Sequence, residues 1–403
     1  MNRSQVVFKA IDIIGYIPQN ITRYKGVVCV KDAAFNKKQD ESQSGDVYYS
    51  EKAMRLCKEQ GKKMPVILNI HGGGFVMGDK KCRKSYSEFW AEKGYFVFNI
   101  NYRLAPEAQF PEYLYDSIDA LNYLEELNRY YGTLDLDKII VMGDSSGGYS
   151  AAFVAALAFD DELRKKLGAP EVKFKPAVLA PFCGIYDVNT LFENNILPFK
   201  IIDITAETFL GYEHSEDGLE AVKSYKYVDY ISPSAFVNDK WCPTFIVWSN
   251  SDIVCTNQGQ PMFDRISECI GEENIEKFTA DGFANNHCFH LNMTLKISKQ
   301  CFKAADEFFR KHLQFDDVLG EAAAKEQAEK EAAQQAEKEA QEAEKLKAEE
   351  EKAAQKQAKK EAKKEAKEQA KKERAERKKA KKNPEEAVGE EAEETAEATP
   401  TEE

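Results

Sequence analysis

Unbroken apolar runs set between amphipathic stretches constrain this chain more than any other feature. Residues 66–70, 96–101, 139–142, 177–179 and 243–248 are crowded with Val, Ile and Phe and lack polar alternation, and a further run lies near 277–280. Strands covered on both faces read this way. Helical patterns fall between them, over about 85–93, 111–128, 148–158, 260–270 and 294–312. Strand–helix–strand repetition predicts an α/β fold with a mainly parallel sheet and right-handed crossovers. Ahead of it, 24–30 and 46–50 read as an antiparallel opening to the same sheet.

The pattern stops abruptly near residue 320. Residues 321–403 contain no aromatic residue and no cysteine, and only Leu346 and Val388 among the large aliphatics. Such a segment cannot bury a core, so residues 1–320 form the folded body and 321–403 a tail. The tail is built from Ala, Glu, Lys and Gln, with near-maximal helix propensity and Glu–Lys neighbours at four-residue spacing. The prediction is a solvated helix to about Asn383, stopped by Pro384, then a disordered acidic end. Apolar a and d positions are missing, which disfavours a coiled coil. Charge is blocked along it: −6 over 321–351, +10 over 352–382 and −9 over 383–403. A self-neutralising spacer accounts for this better than a surface for nucleic acid or membrane. The tail's partner is unknown.

The whole chain carries a formal charge of −13, and its tail contributes 25 acidic against 20 basic residues. An acidic body lacks the concentrated Lys and Arg that phosphate binding needs, which argues against nucleic acid as a partner. Nine cysteines (29, 57, 82, 183, 242, 255, 269, 288 and 301) are scattered without a C-x-x-C. Reduced, mostly buried thiols are expected in place of a disulfide frame or zinc site. The N-terminal apolar stretch is broken by Asp12 and makes a poor signal peptide. No run approaches the ~20 apolar residues that span a bilayer. A cytoplasmic protein is the expectation; a homodimer is left open.

Residues about 184–235 interrupt the alternation. They are too long for a crossover and rich in Phe, Tyr and Ile, so they predict a small helical insertion lying over the sheet's edge.

Two glycine-rich motifs carry the chemistry. Gly143-Asp144-Ser145-Ser146-Gly147-Gly148 follows the run 139–142 and precedes a small-residue helix. G-x-S-x-G between strand and helix is a nucleophile elbow, a turn so tight that its flanks must be Gly, with the serine hydroxyl raised above the sheet. The frame selects Ser145, with Ser146 one position late. His71-Gly72-Gly73-Gly74 ends the run 66–70. Consecutive glycines there can turn backbone N–H groups toward a developing oxyanion, worth about 3–4 kcal/mol per donor. Gly73, Gly74 and the Ser146 N–H are assigned to that oxyanion hole, with His71 orienting the loop.

Serine needs a base, and the base an orienting carboxylate. Of the histidines, His214 falls in the insertion and His312 near a helix end, where a cation suits the dipole. His287 lies between the last strand and last helix and is the expected base; His290 begins that helix or packs nearby. Asp252, past the end of 243–248, is the expected acid, giving the order Ser…Asp…His. Glu268 and Asp281 are weaker rivals. No cofactor or metal is called for.

His71-Gly-Gly-Gly-Phe75, Asn101-Tyr-Arg-Leu-Ala-Pro-Glu107 and Gly143-Asp-Ser-Ser-Gly-Gly148 together resemble the hormone-sensitive-lipase-like branch of the α/β-hydrolases. The resemblance covers about residues 25–313. It implies an α/β-hydrolase fold with an eight-stranded sheet, and a cap formed by residues 1–25 and about 184–235. It carries the triad onto Ser145, Asp252 and His287. Two positions depart from the family: Ser146 stands where Ala is usual, and Asp252-Ile-Val-Cys-Thr-Asn where Asp-Pro-Leu is common. The tail matches nothing in the family.

The implied activity is hydrolysis of small carboxylic esters through an acyl-enzyme. Aromatics of the insertion (Phe192, Phe199, Phe209, Tyr212) suggest a short to medium acyl chain or a small aromatic ester. Two alternatives stand beside it: a deacetylase of a sugar or other small metabolite, and a silent hydrolase-like scaffold presenting the tail.

Overall fold

The computed structural model describes residues 3–36, 40–193, 201–210 and 218–381. Its sheet has the order β1-β2-β4-β3-β5-β6-β7-β8. The strands are β1 (Val27–Ala34), β2 (Ser44–Ser50), β3 (Met64–Ile70), β4 (Phe96–Ile100), β5 (Leu134–Asp144), β6 (Val178–Phe182), β7 (Thr244–Ser249) and β8 (Ile275–Ala280). β2 runs antiparallel to both β1 and β4, and the remaining neighbours are parallel. This is the mainly parallel sheet with an antiparallel opening that the apolar runs predict.

The strand order reverses at β3. The chain leaves β3 for β4 on one side, then returns to lay β5 on the other. Open α/β sheets bind ligands beyond the carboxyl ends of strands at such a switch point. Ile70 and Gly143 are register partners at the ends of β3 and β5. The two glycine-rich motifs are therefore neighbours by topology.

The helices are α1 (Arg3–Asn20), α2 (Glu51–Gln60), α3 (Lys84–Glu92), α4 (Glu112–Tyr131), α5 (Ser146–Phe159), α6 (Asp161–Leu167), α7 (Val188–Glu193), α8 (Ile201–Leu210), α9 (Gly218–Lys223), α10 (Gly259–Ile270), α11 (Lys296–Leu313) and α12 (Val318–Ala380). Side chains alternate across a strand, so each run feeds two cores. Val66, Leu68, Ile70, Phe96 and Phe98 bury against α2, α4 and α5. Ile67, Val97, Ile140 and Val247 face the other way, onto Tyr86 and Trp90 of α3 and Phe302 and Phe309 of α11. Helices on both faces explain why the runs lack polar alternation.

The insertion is helical, with α7, α8 and α9 followed by two short 3-10 turns. It does not lie over the sheet's edge as expected. Phe209 of α8 stacks on Phe75, just past β3, with ring centroids 4.1 Å apart, and meets Tyr149 of α5 edge-on. The insertion thus covers the carboxyl ends of the central strands, because the apolar rings it must bury against are there. α1 packs against α3 and α8. Of the four aromatics expected in the cap, Phe199 and Tyr212 lie outside the described residues, as does His214.

The chain divides into two compact units, Met1–Ala322 and Ala323–Glu403. Helix α12 begins within the first, where Val318 is buried and Glu321 pairs with Lys62 at 2.7 Å. From Ala323 to Lys379 the residues of α12 are solvent-exposed, with Gln327–Glu331 and Gln335–Glu339 hydrogen bonds along it. The predicted stop near Asn383 falls outside the described residues. Among those described, no helix is long and apolar enough to cross a membrane.

Candidate active site

The end of β5 and the start of α5 meet at Ser145, whose backbone is held at φ 54°, ψ −122°. A non-glycine residue pays about 1–3 kcal/mol for such a conformation, so its surroundings must impose it. They do so by closeness. A Cβ on Gly147 would stand 2.1 Å from the Ile70 carbonyl oxygen, and one on Gly143 would stand 2.3 Å from the Gly147 oxygen. The Ser145 N–H donates to the Phe182 carbonyl at 2.8 Å, fixing the bend against β6.

Three distant segments converge on the hydroxyl. His287 Nε2 lies 2.9 Å from Ser145 Oγ, and His287 Nδ1 lies 2.8 Å from Asp252 Oδ2. Asp252 Oδ1 accepts the N–H groups of Val254 and Cys255, both at 2.8 Å. Burial works to raise the Asp252 carboxyl, but the His287 charge and these hydrogen bonds hold it below its usual range. Burial likewise works to lower His287, but the Asp252 carboxylate and the neighbouring Cys255 sulfur together outweigh it, raising the imidazole well above its ordinary value. Asn286 ties the two loops together: its Nδ2 donates to the Ser251 carbonyl at 2.7 Å. Of the rival acids, Glu268 sits on α10, and Asp281 accepts a hydrogen bond from Asn250.

His71 is wholly buried, and burial pushes its imidazole down to about 4. Its Nδ1 is 2.9 Å from the Gly72 carbonyl oxygen, which fixes the neutral ring with that nitrogen donating. Tyr102 stacks on the ring at 4.6 Å and donates its hydroxyl to the His71 carbonyl. Arg103, next in the chain, grips Asp116 of α4 through Nε and Nη2. The Tyr102-Arg103 pair therefore braces the glycine loop. At Gly73, φ is 142° and a Cβ would collide with the Met77 carbonyl oxygen at 1.9 Å, so only glycine fits. Ser146 occupies the first turn of α5, its hydroxyl buried without a partner among the described residues.

His290 does not begin α11 but packs nearby, its ring edge-on to Phe302 of that helix. It lies in a 3-10 turn (Phe289–Leu291), with its ring 4.6 Å from Phe182, while α11 starts at Lys296.

An ion pair that the sequence does not announce stands behind Ser145. Asp144 is bound by Arg83 through both carboxylate oxygens, and both side chains are buried. The signal was an acidic residue in a turn between a buried strand and a buried helix, where a carboxylate demands a cation. Arg83 comes from 61 positions upstream, and nothing in its own segment marks it.

An apolar cavity of about 50 Å³ opens beside Ser145, bounded by Gly74, Phe75, Val188, Leu191, Phe192 and Phe209 among others. Two clusters hold metal-binding atoms within 4.8 Å of one another: Cys183, His287 and Cys288, and Asp252, Cys255 and His287. Both share the His287 imidazole, whose nitrogens already face Asp252 and Ser145, so an ion at either would compete with that arrangement.

This sheet, with a strained serine at its switch point and a helical insertion above, defines an α/β-hydrolase. Residues 53–265 match the BD-FAE family model. That match spans more than half of the chain, which belongs to this family, within the hormone-sensitive-lipase-like branch. Among curated relatives, the chain is similar to esterase LipI of Mycobacterium tuberculosis, 38% identical over 124 residues, 30% of this chain and 35% of that one. It is also similar to 3-O-acetylpapaveroxine carboxylesterase CXE2 of Papaver somniferum, 33% identical over 187 residues, 40% of this chain and 55% of that one. The chain thus spans about a third to a half of the length of these relatives. Among solved structures, esterase B of Lactobacillus rhamnosis bound to a tributyrin phosphonate superposes with a TM-score of 0.62 at 20% identity, over 80% of this chain and 97% of that one. A bacterial heroin esterase gives 0.58 at 20% identity, over 76% and 91%.

Proposed function

We propose that the protein is a serine hydrolase of small carboxylic esters. The observation that carries this is the unbroken chain from Ser145 Oγ through His287 to Asp252, at 2.9 and 2.8 Å. Asp252 holds the Nδ1–H tautomer, leaving Nε2 free to take the Ser145 proton as Oγ attacks the ester carbonyl. The oxyanion then falls to the backbone N–H groups of Gly73, Gly74 and Ser146, in a site that Phe75 and Phe209 shield from water. His287 returns the proton to the leaving alcohol, and water releases the acid by the same route. Esterase names among the relatives agree with this reading.

The cavity narrows the acyl group. One water takes up about 10–15 Å³ of such a cavity, so 50 Å³ admits only a few heavy atoms. Acetyl to butyryl esters fit best. The same observation keeps a second reading alive, removal of acetyl groups from a sugar or other small metabolite.

The test is a fluorophosphonate probe followed by a panel of p-nitrophenyl esters and acetylated sugars. Labelling at Ser145 and turnover falling with chain length beyond butyrate are expected. Ser145→Ala should lose turnover by about 10⁶-fold. Preference for acetylated sugars would favour the second reading, and an unlabelled Ser145 would leave only a silent scaffold.

A further inference from the structure

Beside the triad stand two thiols that ester hydrolysis does not use. Cys183 follows β6 at φ 49°, and Cys288, adjoining His287, has φ 54°. Their sulfur atoms lie within 4.8 Å of each other and of a His287 ring nitrogen. Cys183 is buried and Cys288 half-buried. The neighbouring Cys288 thiol holds the Cys183 thiol below its usual range, with His290 assisting against the effect of burial. The Cys288 thiol is raised, by burial first and then by its Cys183 neighbour. His290 is wholly buried, and neither ring nitrogen has a nitrogen or oxygen partner among the described residues. Cys183 supplies the lowered thiol and half-buried Cys288 the opening to solvent, the two things a peroxide-reactive pair requires.

We propose that Cys183 and Cys288 form a peroxide-responsive dithiol whose disulfide draws His287 away from Ser145. The Cys183 thiolate attacks one oxygen of hydrogen peroxide; the O–O bond breaks, and the departing hydroxide takes a proton to become water. Cys183 is now a sulfenic acid. Cys288 sulfur, releasing its proton, attacks the Cys183 sulfur, and the S–O bond breaks to free a second water. The two thiols give up two electrons, and the peroxide accepts both.

The bond needs the sulfurs at about 2.05 Å, so one side must move. Cys183 is pinned, since its N–H donates to the Val247 carbonyl at 2.6 Å. Cys288 sits between two short 3-10 turns, Phe283–Asn285 and Phe289–Leu291, outside the sheet, and is the side expected to yield. His287 moves with it. A misplacement of about 1 Å costs on the order of 10²-fold in rate. That loss of activity rests on the esterase reading above; the disulfide does not.

The experiment takes the full chain, reduced and then treated with hydrogen peroxide, and maps its peptides after alkylation of free thiols. A Cys183–Cys288 cross-link is expected, with fluorophosphonate labelling of Ser145 falling about 10²-fold and returning on addition of dithiothreitol. Cys183→Ser and Cys288→Ser, each compared with its own reduced form, should keep their labelling under peroxide. Both thiols remaining alkylatable would overturn the proposal, as would a cross-link that leaves labelling unchanged. Reduced protein that never labels would count against the esterase reading alone, because the peptide map still reports the bond.

Discussion

Arg83 holds Asp144 through paired hydrogen bonds of 2.7 and 2.6 Å, one residue before Ser145. Both groups are withdrawn from water, so each depends on the other for its charge. The pair also stands against the glycine loop: a Cβ on Gly72 would lie 2.6 Å from Asp144 Oδ2. One ion pair therefore sets the distance between elbow and loop.

Removing one partner leaves the other stranded. Arg83→Met should destabilise the fold by about 3–5 kcal/mol, whereas Arg83→Met with Asp144→Leu should recover most of that loss. Urea denaturation followed by circular dichroism measures both. A single variant as stable as the parent would refute the burial argument.

The raised His287 imidazole sets the sign of the pH response. Only the neutral ring accepts the Ser145 proton, so kcat/KM should fall as pH drops through its raised pKa, with the acid limb above the ordinary histidine range. Asp252→Asn removes the charge that raises it and should move that limb to lower pH, with a rate loss of about 10⁴-fold. A limb that stays in place would show that another group titrates.

Phe192 walls the cavity beside Ser145. Phe192→Ala should shift the optimum from acetate or butyrate toward hexanoate, each added methylene being worth about 1–3 kcal/mol in an apolar pocket. A p-nitrophenyl ester series reads this directly. An unchanged chain-length profile would place the acyl group elsewhere.

Truncation after Ala322 should leave ester turnover and the unfolding midpoint of the body unaltered. Truncation before Val318 should lower the midpoint, since Val318 belongs to the core and Lys62 loses Glu321. Thermal melts of both forms decide the matter.

The sequence revealed most where physics is local. β3, β4 and β7 end within a residue or two of the apolar runs, because both faces of each are buried. β5 begins at Leu134, earlier than expected, because the alternating Leu134-Asp135-Leu136-Asp137 segment reads as a loop yet pairs with Met64 and Pro65. β6 runs on to Phe182, its end hidden by Pro181. Helix α2 went unread although Ser50 caps it through the Ala53 N–H and Gly61 ends it; the neighbouring strand pattern absorbed the Ser50 signal. In the site, Ser145, Asp252 and His287 were legible because their residue types and strand-end positions are informative alone. Arg83, Asp116 and the Cys183–Cys288 pairing were not, because each gains meaning only from a partner that folding supplies.

The Phe75–Phe209 stack has a consequence for catalysis. Phe75 keeps a backbone that side chains seldom adopt, φ 65°, directly after the glycines of the loop. That posture lasts only while something presses on it, and the weight comes from the helix roofing the site. Lifting the roof to let an ester in would also slacken the loop whose amides are proposed to meet it. Substitutions in α8, remote from the reacting atoms, would then slow turnover itself and not merely weaken capture.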